Sequence, residues 1–300
     1  HFELIVVNDG STDATHDILT EYASKDPRIK CHSFESNQGS GAAVEYGRQL
    51  ASGDLLYCSA SDDYLATPNF FEQVVNLMLK APHAAGVFGQ AELVSSETGK
   101  SICLMGKMGD RYGYFPPRQC MELFLSHQAL IPGVTSIIRR DLVERIGGYP
   151  IELGPQSDYF VDHALAGLAG VVFFPKRVAV HRMSEISYNA SVSFQQRIRN
   201  YCLVEKKMRA LHLYDGFDSN TIISWRRSLV DDLMLASRQI QLFQLFKQII
   251  DSHNVIFWMH LPEAPKAFFK SIPGECERLE KDLVELKALA MDEFKKTVGC

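Results

Sequence analysis

The stretch Asp54-Leu55-Leu56-Tyr57-Cys58-Ser59-Ala60-Ser61-Asp62-Asp63 is the part of this sequence that decides the fold. It begins with a short apolar run, continues through small residues and ends in two adjacent carboxylates. A short apolar run bounded by turn signals predicts a buried parallel strand, and such strands present functional residues at their carboxyl ends. Because neighbouring carboxylates repel each other unless a cation lies between them, Asp62 and Asp63 predict a metal site at that end.

The composition indicates an ordinary soluble protein. The chain has 300 residues, 46% hydrophobic and 22% charged, which predicts one large domain or two smaller ones. The net charge of -5 argues against a nucleic-acid partner. The cysteines form no Cys-x-x-Cys pair, which argues against a disulfide framework or a structural zinc site and favours a reducing compartment. Since the sequence also shows no bilayer-spanning apolar stretch and no signal-peptide pattern, we expect a cytoplasmic protein, either free or at the inner face of the membrane.

Strand and helix patterns alternate before the opening stretch. A β-branched-rich strand is predicted at 2–7, a helix at 14–25, a second strand at 28–34 and a small-residue helix at 42–51. Together with the opening strand, this alternation is the signature of a doubly wound α/β unit.

Further helix and strand patterns follow as far as residue 181. We predict helices at 69–80, 118–127 and 141–146, and a further helix that residues 154–158 open and that runs to about 169. Strands are predicted at 85–90, 133–139, 171–174 and 178–181, and irregular or hairpin structure at 91–115.

From about residue 191, only helical periodicity remains. We therefore place a domain of residues 1–190 before a helical C-terminal region of residues 191–300. The segments 242–250 and 256–259 are rich in large apolar side chains. Core packing is the default explanation for them. A membrane-surface helix and a homodimer interface, either of them within 215–300, stay open as alternatives.

Four motifs, in this order, resemble family 2 glycosyltransferases. They are Val6-Val7-Asn8-Asp9-Gly10-Ser11-Thr12-Asp13, Asn37-Gln38-Gly39 through Gly53-Asp54, Ala60-Ser61-Asp62-Asp63, and Gly147-Gly148-Tyr149 with Ser157-Asp158. The resemblance covers roughly residues 1–185 and implies the GT-A fold, an α/β fold whose nucleotide-binding mixed sheet is flanked by helices. It also implies transfer of a sugar from a nucleotide donor with inversion at the anomeric carbon.

The resemblance assigns the donor-binding residues. Asp9 matches the aspartate that accepts a hydrogen bond from the donor's base, usually uracil, although shaping the turn is an alternative role for it. Ser11, Asn37 and Gly39 belong to the motifs on the same donor side. Asp62 matches the last aspartate of the family's Asp-x-Asp element at the diphosphate.

The resemblance also implies a divalent cation, Mn²⁺ or Mg²⁺, at that diphosphate. Asp62 and Asp63 are the predicted carboxylate ligands, with a capped turn as the alternative explanation. His181 is a further candidate ligand, since some GT-A enzymes use a late histidine, but a lone histidine at a strand end is more often an ordinary polar residue. Arg182 is assigned either to the diphosphate or to solvent.

The general base is assigned to Asp158. An inverting transfer needs a carboxylate that takes the proton of the acceptor hydroxyl. We expect Ser157 to cap the helix that begins here and Asp158 to lie in its first turn. Asp162, four residues further along, is the second candidate.

The sequence departs from the family pattern at three places. Ala60 stands where the family has a ribose-contacting aspartate, and Val44-Glu45 stands where it often has Arg-Asn, with Arg48 as a candidate substitute for the missing cation. The family also has a strand ending in Pro-x-Tyr-Asn and a helix before the strand at 2–7. We therefore expect roughly 30–50 further residues upstream in the natural protein.

The leading hypothesis is a metal-dependent, inverting hexosyltransferase. It would use a nucleotide sugar, in particular a UDP-sugar, and a glycan, lipid-linked or small-molecule acceptor, as in polysaccharide biosynthesis. One alternative is a non-catalytic GT-A-like module that binds a partner through its helical C-terminal region. A nucleotidyltransferase on a related sheet is a third, and it would need a Gly-rich phosphate loop with a basic residue at the first strand.

Overall fold

A computed structural model of the chain describes residues 1–109, 111–183, 192 and 194–225. The strands are β1 (Leu4–Asn8), β2 (Ile29–Ser33), β3 (Leu55–Tyr57), β4 (Tyr64–Leu65), β5 (Gly86–Ser95), β6 (Ser101–Met105), β7 (Lys107–Met108), β8 (Gly113–Phe115), β9 (Ala129–Leu130), β10 (Ile137–Arg139) and β11 (Val171–Met183). The helices are α1 (Thr15–Lys25), α2 (Ser40–Leu50), α3 (Phe70–Lys80), α4 (Pro117–Leu125), α5 (Arg140–Arg145), α6 (Ser157–Ala169) and α7 (Phe194–Ala210), with 3₁₀ turns at Gly133–Thr135 and Ile151–Gln156.

The first four elements form the predicted β-α-β-α unit. β1 and β2 are parallel, with Leu4 opposite Ile29 and Asn8 opposite Ser33. They make a two-stranded sheet of their own within the described residues. Because parallel neighbours point their carboxyl ends the same way, this unit presents the end of β1 and the start of α2 at one edge.

The larger sheet is mixed and has seven strands. Five of them follow the order β3-β10-β5-β11-β4, while β6 pairs with β5 and β8 pairs with β11. β5 and β11 are the long parallel pair at its centre, whereas β10 runs antiparallel to both β3 and β5. The predicted α/β class with a mixed sheet flanked by helices therefore describes the molecule.

The opening stretch differs from its prediction. β3 is three residues long and half-buried, and it pairs antiparallel with β10, with Tyr57 opposite Ile137. A buried parallel strand was therefore the wrong expectation. An apolar run carries no information on the direction of a partner strand about eighty residues away, so the pattern could not reveal this pairing.

Residues 171–183 also differ from the prediction, since they form one strand and not two. The register shifts between Phe173 and Arg177 and again before Ala179, so Pro175 lies in an irregular part of β11. Proline lacks an amide donor and is tolerated where the ladder is already interrupted. The continuous strand carries His181 and Arg182 past β4, where Val180 lies opposite Tyr64.

The described C-terminal residues are helical, as predicted. The described residues within 1–192 and 203–217 form one compact unit, and residues 194–202 and 218–225 belong to a second. α7 and residues 219–225 are helices, whereas 226–300, with the apolar segments at 242–250 and 256–259, lie outside the described residues. The domain boundary near residue 190 stays a prediction. Among the described residues, no helix has the length and apolar character needed to cross a membrane.

The core lies between α3 and the larger sheet. Phe70, Val74 and Met78 lie on one face of α3 and are buried against strand residues such as Val87 and Val172. The opposite face of the helix is exposed, so α3 is an amphipathic helix that packs its apolar face against the sheet.

Phe70 and Phe71 make a matched test of this packing. Phe70 is 0% exposed and Phe71 is 48% exposed. We expect Phe70→Ala to lower the free energy of unfolding by about 3–5 kcal/mol, because it leaves a cavity in the core. Phe71→Ala should cost less than half as much. Urea unfolding of both variants checks this, and equal losses would contradict the assignment of the buried face.

Candidate active site

Asp63 joins the turn after β3 that contains Asp62 and Asp63, called the acidic turn below, to the end of β11. Its side chain is 3% exposed. Its Oδ1 accepts a hydrogen bond from the Arg182 amide at 2.9 Å, and its Oδ1 and Oδ2 lie 3.1 and 3.0 Å from His181 Nδ1. The hydrogen bond to Asp63 raises the pKa of His181 although burial opposes it. Asp63 and His181, both predicted as metal ligands, are thus bound to each other.

Asp62 is the more available of the two adjacent carboxylates. The residue is exposed, and its main-chain carbonyl accepts a hydrogen bond from Arg182 Nε. Within the described parts of the chain, its carboxylate accepts no hydrogen bond, and no three His, Cys, Asp or Glu side chains are arranged to hold a metal ion. Mg²⁺ and similar ions are commonly held by one or two carboxylates plus substrate phosphates and water. Asp62 fits that arrangement, in which most ligands come from the substrate.

On the donor side, Asp9 joins the end of β1 to the start of α2. Its Oδ1 accepts from the Gln38 amide at 2.7 Å and its Oδ2 from the Gly39 amide at 2.9 Å. Gly10 has a φ of +72°, and a Cβ there would lie 2.6 Å from the Asn37 nitrogen. The two motifs are therefore in contact, and the carboxylate makes the turn-shaping contacts that were the alternative to base binding.

Ser11 and Asn37 are exposed beside this junction. The Ser11 amide donates to Oδ1 of the buried Asn8 at 3.0 Å. This bond orders the loop after β1 and leaves the Ser11 hydroxyl at the surface. The structure thus brings Asp9, Ser11, Asn37 and Gly39 to one edge of the β1–β2 unit, as parallel strands require.

Glu45 is the residue whose role the sequence did not reveal. It is buried on α2, and its Oε2 accepts from the Tyr149 amide at 2.8 Å and from Arg48 Nε at 2.7 Å. Its Oε1 accepts from Arg48 Nη2 at 2.6 Å and from Gln49 Nε2 at 2.9 Å. Burial alone would raise the pKa of Glu45, but these hydrogen bonds lower it overall. The carboxylate is therefore a charged anchor between α2 and the Gly147-Gly148-Tyr149 motif.

The contacts of Glu45 change the interpretation of one departure from the family pattern, Val44-Glu45, and of Arg48, its candidate substitute. Val44-Glu45 is not simply a missing cation, because Glu45 has a structural task of its own. Arg48 was a candidate donor contact, but its guanidinium is bound to Glu45 and lies 4.0 Å from Glu144. The pairing with Glu45 does not favour a donor contact for Arg48, and that role stays a prediction. Gly148, with a φ of +82°, allows the close approach, since a Cβ there would lie 2.6 Å from Glu45 Oε2.

Asp158 lies in the first turn of α6, as predicted, but Ser157 does not cap the helix. Ser157 is itself the first helical residue, and its buried hydroxyl has no hydrogen-bond partner within the described part of the chain. Asp158 Oδ1 accepts from the Tyr159 amide at 2.7 Å. The residue is exposed to solvent, although protein atoms surround its carboxyl group closely enough to desolvate it.

The surroundings of Asp158 favour its protonated form more than water does. Burial raises the pKa of this carboxyl, although the amide hydrogen bond from Tyr159 and the charge of His181 act in the opposite direction. The electrostatic effect of His181 is important for the layout of the site. Asp63, Asp62 and Asp158 all raise the pKa of His181, so the four side chains lie near one another.

Asp162, the second candidate base, is less accessible. It is buried, and its Oδ2 accepts from Ser136 Oγ at 3.2 Å. Burial and the neighbouring charge of Asp158 raise its pKa well above the usual range. The geometry therefore favours Asp158 over Asp162 as the group that meets a substrate.

Tyr149 and Cys58 lie near these aspartates, since all of these groups affect the pKa of Tyr149. Burial raises the pKa of the Tyr149 phenol strongly, and the charges of Cys58, Asp162 and Asp158 raise it further. Cys58 is exposed directly after β3. The Gly147-Gly148-Tyr149 motif indicated a functional role for Tyr149. Cys58 lies in an ordinary run of small residues, and nothing in the sequence indicated a role for it.

Comparison with known proteins identifies the family. A model described as glycosyl transferase family 2 matches residues 1–147. An uncharacterised glycosyltransferase of Rickettsia typhi is 30% identical over 160 residues, which make up 53% of this chain and 48% of the relative. Curated relatives of this kind are matched over 21% to 48% of their own length, so the chain spans half of them or less.

Two solved structures share the fold. The crystal structure of S. aureus TarS 1-349 in complex with UDP-GlcNAc has a TM-score of 0.55 at 17% identity, with 78% of this chain and 72% of that chain covered. The mannosyltransferase PcManGT from Pyrobaculum calidifontis, in complex with GDP-Man and Mn²⁺, has a TM-score of 0.50 at 17% identity, with 99% and 77% covered. Through residues 1–147, the chain therefore belongs to glycosyl transferase family 2, and its fold is of the GT-A type, as its motifs predicted.

Proposed function

We propose that this protein transfers a sugar, with inversion, from a nucleotide-sugar donor to an acceptor hydroxyl. The observation that carries the proposal is the position of His181, which is hydrogen-bonded to Asp63 and lies near enough to Asp62 and Asp158 for all three carboxylates to raise its pKa. A carboxylate for the donor diphosphate and a carboxylate for the acceptor proton therefore belong to the same site. Both groups are required at the reacting centre of an inverting transfer.

The donor base is assigned to the edge formed by β1 and α2. Both Asp9 oxygens already accept amide hydrogen bonds, yet an ionised carboxylate has about four acceptor positions. Asp9 can therefore hold the turn and also accept from the imide N–H of uracil. The TarS structure bound to UDP-GlcNAc supports a uridine nucleotide, and the bound GDP-Man of PcManGT supports a guanosine one. We propose UDP because Asp9 matches the aspartate whose usual partner in the family is uracil.

The diphosphate is assigned to the acidic turn. Asp62 would hold a divalent cation, Mn²⁺ or Mg²⁺, which neutralises charge on the departing nucleoside diphosphate. Asp63, through His181 and the Arg182 amide, keeps the turn in place. The Arg182 side chain braces the same turn through the Asp62 carbonyl.

The chemical step is assigned to Asp158. Its carboxylate takes the proton of the acceptor hydroxyl while the hydroxyl oxygen bonds to the anomeric carbon. The bond from that carbon to the diphosphate breaks, and the nucleoside diphosphate leaves with the electron pair. A raised pKa makes an aspartate a stronger base than it is in water, which suits proton removal near neutral pH. The acceptor we propose is a glycan or lipid-linked hydroxyl, with a small-molecule acceptor as the alternative.

The metal assignment predicts a specific loss in Asp62→Asn. We expect Mn²⁺ to increase the affinity of the unaltered protein for UDP. In the variant this increase in affinity should be about tenfold smaller, since one charged ligand is removed. Binding of UDP without Mn²⁺ should stay unchanged. Isothermal titration with and without Mn²⁺ checks this, and Asp54→Asn, at an exposed carboxylate before β3, is the matched control.

Turnover that survives Asp62→Asn intact would contradict the metal assignment. Donor hydrolysis and transfer, screened with a panel of nucleotide sugars, are the assays for it. If the unaltered protein binds nucleotide sugars but turns none of them over, the non-catalytic binding module becomes the better account.

The base assignment predicts that Asp158→Asn lowers the transfer rate by about 10²–10⁴-fold, because proton removal is lost. Asp162→Asn should have a much smaller effect, since Asp162 is buried and an amide oxygen still accepts from Ser136. The measurement is kcat for transfer in both variants. Equal losses would contradict the choice of Asp158 over Asp162.

The same assignment fixes the direction of the pH dependence. Asp158 acts only when ionised, and burial raises its pKa. Transfer by the unaltered protein should therefore fall as the pH is lowered through that raised pKa, at a pH above the value of about 3.9 typical of an aspartate. A pH–rate profile that stays flat down to that ordinary value would contradict the assignment.

A further inference from the structure

We infer that Gly133 is a positioning residue for the carboxylate of Asp158. Because glycine has no side chain, position 133 leaves the space that this carboxylate occupies. The inference rests on the proposed function, in which Asp158 is the base. A Cβ at Gly133 would lie 2.6 Å from Asp158 Oδ2, 3.4 Å from its Cγ and 3.5 Å from its Cβ. The three nearest atoms all belong to Asp158, and real Cβ atoms essentially never approach another atom as closely as 2.6 Å. The carboxylate therefore occupies the space that a side chain would fill.

The turn that carries Gly133 is held by an internal hydrogen bond and by two neighbouring strands. Thr135 is fully buried, and its hydroxyl lies 2.8 Å from the Pro132 carbonyl and 3.2 Å from the Gly89 carbonyl of β5. Tyr57 Oη, from β3, donates to the Val134 carbonyl at 3.1 Å. Because neighbouring strands hold the turn on both sides, it cannot easily retreat from Asp158.

The helix that carries Asp158 is equally fixed. Ser157, Phe160 and Val161 are buried around it, and Asp158 Oδ1 is bound to the Tyr159 amide. Only the carboxylate, at the far end of its side chain, can give way if a methyl group is added at 133. Rotation of that group would break the bond to Tyr159 and move Oδ2 away from the acceptor.

The backbone at Gly133 has no need of glycine. It is not among the glycines with positive φ in the described residues, and it lies in a 3₁₀ turn that any residue can adopt. The space taken by Asp158 is therefore the reason that this structure offers for glycine at 133. This separates Gly133 from Gly148, where positive φ and close packing on Glu45 act together.

The test compares Gly133→Ala with Gly53→Ala. A Cβ at Gly53 has one neighbour, at the ordinary distance of 3.5 Å, and Gly53 also lacks a positive φ. We expect Gly133→Ala to lower kcat for transfer by about 100-fold, the order of loss from misplacing a catalytic group by about 1 Å. UDP affinity and the melting temperature should stay as in the unaltered protein. Gly53→Ala should match the unaltered protein in all three measurements.

A double-mutant cycle shows whether the effect passes through Asp158. If it does, adding Gly133→Ala to Asp158→Asn should change the residual transfer rate far less than about 100-fold, because the positioned group is already disabled. The same further loss in that background would overturn the inference, and so would normal kcat in Gly133→Ala itself. A wrong assignment of Asp158 as the base would give a different result, since Asp158→Asn would then retain the transfer rate of the unaltered protein.

The melting temperature provides an independent check. If Gly133→Ala is unstable, the pair Gly133→Ala, Asp158→Ala should melt near the temperature of Asp158→Ala alone, because the clashing group has been removed. Instability that persists in the pair would overturn the inference, since the added methyl group would then meet something other than Asp158.

Discussion

The rest of the site depends on the hydrogen bonds of the buried Asp63 carboxylate. The carboxylate binds the Arg182 amide and the His181 ring, and so joins the turn after β3 to the end of β11. Adjacent like charges would be unfavourable if both were free. The structure gives the two carboxylates different surroundings, since Asp63 is hydrogen-bonded to His181 and the Arg182 amide and Asp62 stays at the surface. A cation would then meet one free carboxylate, which suits a metal that arrives with a diphosphate.

Glu45 makes a comparable connection between the donor and acceptor motifs. One carboxylate on α2 accepts the Tyr149 amide and is neutralised by Arg48. A buried charge of this kind is stable only when paired and fully hydrogen-bonded, as it is here. Because Asp158 also contributes to the raised pKa of Tyr149, α2 is connected through Glu45 to a residue that lies near Asp158.

Much of the fold followed from local patterns, and the errors have physical causes. The β1-α1-β2-α2 order and the first turn of α6 were predicted because hydrophobic periodicity and turn residues act over short distances. β3 was given the wrong direction because its partner, β10, lies far along the chain. β11 was divided at Pro175 because proline normally ends a strand, and only the irregular register with β5 accommodates it. The helical cap at Ser157 failed because the helix begins one residue earlier than the cap required.

The sequence by itself determined the family, the order of elements and the identities of the acidic residues at the site, since motifs are strings of neighbouring residues. Tertiary structure alone decided what each acidic residue does. Asp63 meets a partner 118 positions away and Glu45 one 104 positions away, and Asp158 fills the space left by Gly133. A carboxylate becomes an anchor, a free ligand or a base according to the donors and charges that surround it. Those neighbours are set by chain folding and have no counterpart in local sequence.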